Sequence, residues 1–211
     1  GKRPSKISIS PCNNIQELIP ILNDTHIPVV FSDRPGDEFA DFVGVSNIEE
    51  GRKLVGLFSS KPKKIALICP SETNVITIQE RIDGMSEQCQ KNGIDCDTFS
   101  LLESQEQIDL QIEKTIQSGT DAIIALNNTV TFKVLSALHH NNTKIPARVK
   151  LISFDDHEAF PYMDPPISAM RQPISAIGLE SVERMVDRLK ESQIPGKHSL
   201  LSCTFIPRSS H

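Results

Sequence analysis

Between about residue 64 and residue 154 the chain alternates between two patterns of apolar positions. Four short runs are apolar almost throughout, as strands buried on both faces are, and they occupy residues 64–69, 93–99, 121–126 and 149–154. Three longer segments between them repeat an apolar residue every three or four positions, at residues 74–91, 105–118 and 129–140. Strands that alternate with amphipathic helices over short connections predict a doubly wound α/β fold with a parallel sheet.

The parts of the chain on either side show the same alternation less regularly. Three further strands are predicted at residues 6–10, 27–31 and 42–45. Helices are predicted over residues 15–22, with Asn13 or Asn14 as the N-cap, and over residues 47–58. Beyond Pro173 the apolar spacing indicates one more amphipathic helix, before a last strand.

The sharpest change of composition lies at residues 59–64, which hold Pro62 and three lysines. We place a lobe boundary in this segment. The predicted first lobe comprises residues 1–60 with the helix 173–192. The predicted second lobe comprises residues 61–168 with the terminal strand 199–206.

Charge and composition argue against two classes of binding surface. The formal net charge is −5 and the basic residues do not cluster, so we expect no DNA binding by this chain itself. No apolar run reaches the roughly eighteen residues that a membrane-spanning helix needs. Residues 1–6 also lack the apolar core of a signal peptide. We therefore expect no membrane partner.

The reactive residue types do not form a recognisable centre. The five cysteines are scattered without a CxxC pair, which favours small core residues in a reducing cytosol over disulfides. The acidic and histidine residues at 155–158 are consecutive, and consecutive loop residues rarely converge on one metal ion. No nucleophile motif, P-loop or dinucleotide fingerprint occurs, so we expect no catalysis, no metal and no cofactor.

Motifs spread over most of the chain carry a family resemblance. SFDD at residues 153–156, followed by PPISAMRQP at 165–173, resembles a signature of the lactose/galactose-repressor (LacI/GalR) family of bacterial transcription regulators. The other similar segments are IPVVFSDR, DFVGVSNIEEGRKLV, PKKIALICPSETNVITIQERIDGM, DAIIALNNTVTFKVLSAL and LLSCTFIPRSS. Ser46, Asn128 and Lys133 depart from the residues usual in these motifs.

The resemblance implies a fold and a function. The fold would be type-I periplasmic-binding-protein-like, with two doubly wound parallel-sheet lobes of which the first is incomplete in this chain. The chain would be the effector-binding and dimerisation region of a cytoplasmic, homodimeric regulator. A small molecule between the lobes would control operator DNA affinity through a helix-turn-helix head that this chain does not contain.

The resemblance also implies a set of effector contacts. They are Arg81, Asp155, Asn127, Thr77, Asn74 and, in the first lobe, Asp33. Most follow strands of the predicted sheet, and the carboxyl ends of parallel strands share one edge, where ligands bind. A guanidinium, an amide and carboxylates suit a polyhydroxylated ligand, since hydroxyls both donate and accept. With no Trp for stacking, we favour a sugar or sugar acid over a purine.

Purely structural roles for these residues, and other functions for the chain, stay open at this point. Arg81 is otherwise a solvent-exposed arginine, Asp155 a carboxylate that caps its own loop, and Asn127 a helix N-cap. A periplasmic sugar-binding receptor of the same fold is the alternative function, which a signal peptide in the full gene would favour. An enzyme on a doubly wound fold is a third, which a turnover screen would reveal.

Overall fold

The structure is a computed structural model that describes residues 7–9, 19–22, 29–36, 40–71, 75–190 and 196–211. The chain forms two compact units. Unit 1 comprises Gly1–Ser46 and Pro173–Ser202, and unit 2 comprises Asn47–Gln172 and Cys203–His211. The predicted cap at Asn13 or Asn14 lies outside the described residues, as does the first half of the helix predicted after it, while residues 19–22 are helical.

Unit 2 is built on a six-stranded sheet. Its strands are β4 (Lys64–Cys69), β5 (Asp95–Ser100), β6 (Ala122–Ala125), β7 (Lys150–Phe154), β8 (Ser168–Arg171) and β10 (Thr204–Ile206). They lie in the order β10-β8-β7-β6-β4-β5. The pairings from β8 to β5 are parallel, and β10 runs antiparallel to β8 at the edge. The four strands predicted for one parallel sheet are confirmed.

Helices cover both faces of this sheet because alternate strand residues are apolar on each side. Helices α1 (Asn47–Val55) and α2 (Ile76–Asn92) pack over one face, where Ile65, Leu67 and Cys69 point. Helices α3 (Gln105–Gln117) and α4 (Asn128–His140) pack over the other, where Ala66 and Ile68 point. The second face also receives Phe160, from a short 3-10 helix at Phe160–Tyr162 that the sequence analysis missed.

Helix α1 approaches α2 closely through two glycines. A Cβ at Gly84 would lie 2.1 Å from the Ile48 carbonyl oxygen, and one at Gly51 would lie 2.6 Å from the Arg81 carbonyl oxygen. Beside this contact, the Asn47 amide donates to Glu80 Oε2 at 3.1 Å, and Arg52 Nη2 lies 2.6 Å from Glu87 Oε2. These contacts place α1 in unit 2.

Unit 1 contains a four-stranded parallel sheet. Its strands are β1 (Ile7–Ile9), β2 (Val29–Ser32), β3 (Asp41–Val45) and β9 (His198–Leu201), in the order β1-β2-β3-β9. Helix α5 (Ile174–Lys190) packs against β2 and β3. Arg188 Nε donates to the buried Asp41 carboxylate at 2.6 Å, which attaches the helix to the start of β3.

The division of the chain differs from the predicted lobe boundaries in two places. Helix α1, predicted for the first lobe, belongs to unit 2 because it packs on α2. The predicted terminal strand 199–206 is two strands, since the chain leaves unit 1 after Ser202 and β10 joins the other sheet. In the described part of the chain, no helix has the length and apolarity needed to cross a membrane.

Candidate functional site

The candidate site lies at the carboxyl edge of the unit 2 sheet. In the sheet, β5 lies on one side of β4, and β6, β7 and β8 follow one another on the other side. The direction in which successive strands are added to the sheet therefore reverses between β4 and β6. Ligands of open α/β sheets bind outside the carboxyl ends of strands at such a reversal. Helix α2 follows β4, Asn127 follows β6, and Asp155 follows β7, so these elements meet at this edge.

Arg81 is a buried residue in the middle of this edge. Its side chain is 5% exposed, its Nε donates to Asn47 Oδ1 at 2.9 Å, and its Nη1 donates to the Leu126 carbonyl at 3.2 Å. The guanidinium carbon lies 3.7 Å from the centre of the Phe154 ring, a cation–π contact. A solvent-exposed arginine is therefore the wrong interpretation.

Asp155 ends β7 in an unusual backbone conformation. Its φ is 72°, in the left-handed region that non-glycine residues rarely adopt, and its amide donates to the Met170 carbonyl at 2.9 Å. Asp155 Oδ1 accepts from Gln172 Nε2 at 2.5 Å, and Oδ2 lies 3.9 Å from Arg81 Nη1. About a quarter of the side chain is exposed. The carboxylate is thus oriented by its neighbours and open to solvent on one side.

Asn127 caps helix α4 and retains a second polar group. Its Oδ1 accepts from the Val130 amide at 2.8 Å, as the alternative interpretation expected. The side chain is half-buried. Its carbonyl accepts from the Thr131 hydroxyl at 2.9 Å. A helix cap uses the amide oxygen and leaves the amide NH₂ available for a different role.

Of the other three predicted effector contacts, one lies on α2, one is outside the described residues and one belongs to unit 1. Thr77 is buried in the first turn of α2, four residues and therefore one helical turn before Arg81. Asn74 lies outside the described residues. Asp33 belongs to unit 1, where it follows β2 with a φ of 69° and donates its amide to the Val43 carbonyl at 3.0 Å. The two aspartates that end β2 and β7 therefore share a left-handed conformation.

The sequence analysis missed four residues around Arg81 and Asp155. Asn47 and Gln172 hydrogen-bond to them directly. Glu50 is 2% exposed; its Oε1 binds Lys53 Nζ at 2.7 Å, and Oε2 has no partner among the described residues. Burial raises the pKa of Cys203 to about 12, with the charge of Glu50 adding to the rise and that of Arg81 opposing it. Asn47 was recognised only as a helix start, since its contact with Arg81 spans 34 positions.

The neighbouring acidic and histidine residues are engaged in other contacts. Asp156 lies between Arg171 and Arg208, with bonds of 2.5 Å from Arg171 Nη2 and 2.9 Å from Arg208 Nη1. His157 Nδ1 accepts from the Ala159 amide at 3.1 Å, and its ring packs on Phe132. Within the described ranges, no three His, Cys, Asp or Glu side chains gather closely enough to hold a metal ion.

A cavity of about 380 Å³ lies elsewhere in unit 2. It is lined by Leu135, Leu138, His139, Asn142, Thr143, Lys144, Ile145, Asp164 and Pro165. Helix α4 begins at the carboxyl edge and ends here, so this cavity is at the opposite edge of the sheet from Asn127.

Comparison with known sequences identifies the family of this fold. The family model of the periplasmic binding protein-like domain matches residues 57–211 of this chain. This chain belongs to that family. The resemblance to LacI/GalR regulators is confirmed by relatives named as transcriptional repressors and by similar solved LacI-family structures.

The named relatives are longer proteins. The HTH-type transcriptional repressor PurR of Vibrio parahaemolyticus is 25% identical over an alignment 191 residues long that covers 86% of this chain and 57% of that protein. The HTH-type transcriptional regulator CelR of Thermobifida fusca is 23% identical over an alignment 178 residues long that covers 80% of this chain and 52% of that protein. The chain thus spans little more than half the length of these curated relatives.

Solved structures of LacI-type regulators share the fold. A LacI family transcriptional regulator from Enterococcus faecalis with bound ribose superposes with a TM-score of 0.85 at 18% identity, covering 99% of this chain and 78% of that one. The transcription regulator CcpA of Lactococcus lactis superposes with a TM-score of 0.82 at 21% identity, covering 98% of this chain and 78% of that one. The expected type-I periplasmic-binding-protein-like fold is confirmed.

Proposed function

We propose that this chain is the effector-binding region of a LacI-type transcription regulator and that its effector is a sugar or sugar acid. The observation that carries the proposal is the group of polar side chains at the carboxyl edge of unit 2. Arg81 reaches the end of β6 through the Leu126 carbonyl and lies 3.9 Å from Asp155 at the end of β7. Asn127 follows Leu126 directly.

The chemistry of this edge suits a polyol. Asp155 offers carboxylate oxygens with about a quarter of its side chain exposed, and Asn127, which follows the neighbouring strand β6, offers an amide donor. The hydroxyl groups of a sugar can donate to the Asp155 carboxylate and accept from the Asn127 amide. Arg81 fixes the carboxylate and keeps positive charge next to it, which would also favour an acidic sugar. The ribose in the Enterococcus faecalis regulator supports this ligand class by analogy.

We also propose the setting in which the chain acts. The relatives are named as transcriptional repressors, which favours a regulator of operator DNA over a periplasmic receptor. The intact protein would act in the cytoplasm as a homodimer that binds operator DNA through a helix-turn-helix head. Helix α1 buries Gly51, Leu54 and Val55, and its opposite side, with the surface around residues 47–58, is the proposed dimer surface. Sedimentation of the intact protein as a monomer at micromolar concentration would contradict the homodimer.

A ligand screen tests the proposed effector class. The chain is heated with an excess of D-ribose, D-glucose, cellobiose or D-gluconate, and with adenine and guanine as comparison compounds. A ligand that binds the folded state alone stabilises it by about 2.7 kcal/mol at a hundred times its Kd, which raises the melting temperature. We expect a rise with at least one sugar or sugar acid. A rise with the nucleobases alone would contradict the proposed class.

A further inference from the structure

The chain passes between the two units at three places. These crossovers follow Ser46, Gln172 and Ser202, so the residues of unit 2 that adjoin them are Asn47, Gln172 and Cys203. The three positions are far apart in the sequence. In the structure, two of them, Asn47 and Gln172, hydrogen-bond to the Arg81–Asp155 pair.

Asn47 and Gln172 contact the pair from its two ends. Arg81 Nε donates to Asn47 Oδ1 at 2.9 Å, and Asn47 Nδ2 donates to Glu80 Oε2 at 3.1 Å, so the Asn47 amide is held on both sides. Gln172 Nε2 donates to Asp155 Oδ1 at 2.5 Å. Asn47 is 3% exposed and Gln172 is half-buried, so the first bond is shielded from water.

We propose that the Arg81–Asp155 pair is the centre of a network that holds the unit 2 ends of two of the three crossovers, with Asn47 and Gln172 as its positioning residues. A ligand that binds Asp155 must compete with the Gln172 amide or share the carboxylate with it. Occupation of this edge would then act directly on the chain where it enters and leaves unit 2. Effector contact and crossover geometry would depend on the same atoms.

Hydrogen exchange without any ligand tests the network. Peptides that cover residues 44–50 and 168–175 are followed by mass spectrometry in the parent chain and in the Asp155→Asn variant. The loss of a hydrogen bond to a charged group accelerates local opening by about tenfold or more. We expect faster exchange in both peptides at once. Faster exchange confined to residues 168–175, or in none of the peptides, would overturn the proposal.

Two further variants sharpen this test. Arg52→Gln removes an exposed ion pair with Glu87 between the same two helices, outside the network, and should leave residues 168–175 unchanged. Gln172→Met keeps the side-chain length and removes the donor at a half-buried position, so it serves if Asp155→Asn fails to fold. Gln172→Met should accelerate exchange at residues 44–50 as well as at residues 168–175. Acceleration at residues 168–175 alone counts against the network. Because no sugar is present in this experiment, its outcome does not depend on whether the proposed effector class is correct.

Discussion

The two adjacent aspartates after β7 show how the surroundings of a residue decide its role. The Asp156 side chain is 6% exposed and lies between two arginines, so its charge is fully compensated within the fold. Asp155 has 27% of its side chain exposed and a left-handed backbone, held by Gln172 and the Met170 carbonyl. An observed backbone outlier with an oriented, partly open side chain favours a binding role. Asp156 is accordingly a structural residue, and Asp155 is the candidate contact.

Asp156→Asn should destabilise the protein and make its free energy of unfolding depend less on pH in the acid range. Burial opposes ionisation of Asp156, but hydrogen bonds from Arg208 and Arg171 outweigh it and lower the pKa of the carboxyl. A lowered pKa gives stability above the ordinary aspartate value of about 3.9, and this stability is lost as the pH falls through that value towards the folded-state pKa. Removing one partner of a buried pair costs about 3–5 kcal/mol.

Urea unfolding at pH 7 and at pH 3 measures this effect. The free energy of unfolding should fall in Asp156→Asn at pH 7, and the difference from the parent chain should shrink at pH 3. Asp97→Asn removes an exposed ion pair with Lys64 and is the matched control, with an expected change below about 1 kcal/mol at either pH. An Asp156 variant as stable as this control would contradict the structural role.

Glu50→Gln should lower the pKa of the Cys203 thiol from about 12. Burial is the larger cause of the raised pKa and remains, but the variant removes the negative charge that adds to it. Alkylation of Cys203 should therefore begin at lower pH, in a background where Cys12 and Cys96 are replaced by serine. Glu49→Gln, on the exposed side of the same helix, is the control. An identical pH–rate profile in both variants would show that Glu50 does not face the thiol.

At the scale of elements, the contact between α1 and α2 decides how the chain is divided. Glycines at both crossing points let the helix backbones approach more closely than a Cβ would allow. Leu54 and Val55 of α1 are then buried in the same core as Ile78 and Met85 of α2. The helix that follows the first crossover is therefore part of unit 2.

Gly84→Ala should force α1 away from α2. The new Cβ would lie 2.1 Å from the Ile48 carbonyl oxygen, and neither backbone can move without disturbing its helix. Overpacking of this kind typically costs about 1–3 kcal/mol, measured as a lower free energy of unfolding. Gly178→Ala, in helix α5, meets no atom within 4 Å and should stabilise by about 0.5–1 kcal/mol. Equal effects of the two substitutions would refute the close approach.

Most elements of the fold were predictable because their signals are local. Apolar runs and helical spacing located β4 to β7 and α2 to α4 to within about three residues. The break between β9 and β10 was not predictable, since Ser202 and Cys203 carry no turn signal. The contacts of Asn47 with Arg81 and of Gln172 with Asp155 arise from packing between distant segments, which no local pattern encodes. Motif resemblance located Arg81 and Asp155, but not the residues that hold them.

At the scale of the whole molecule, each unit has its own sheet, parallel apart from β10 at the edge of the unit 2 sheet, and the chain crosses between the units three times. This connectivity makes the unit 2 edge suitable for regulation, because residues that would meet a ligand are bonded to residues at the crossovers. A ligand shifts a conformational equilibrium only through different interactions with its two states. The Asp155 carboxylate, shared with Gln172, is where such a difference would arise.

Calorimetric titration of the chain with the sugar that raises its melting temperature tests the central claim most directly. The parent chain is compared with Asp155→Asn and with Asn127→Asp, which keeps the helix-cap oxygen and removes the amide donor. Asp97→Asn is the control on β5. An unpaired polar group in the site costs about 1–3 kcal/mol, so we predict affinities about ten- to a hundredfold weaker in both site variants and unchanged in the control. Parent-like affinity in both folded site variants would contradict the assignment of the carboxyl edge of unit 2 as the effector site.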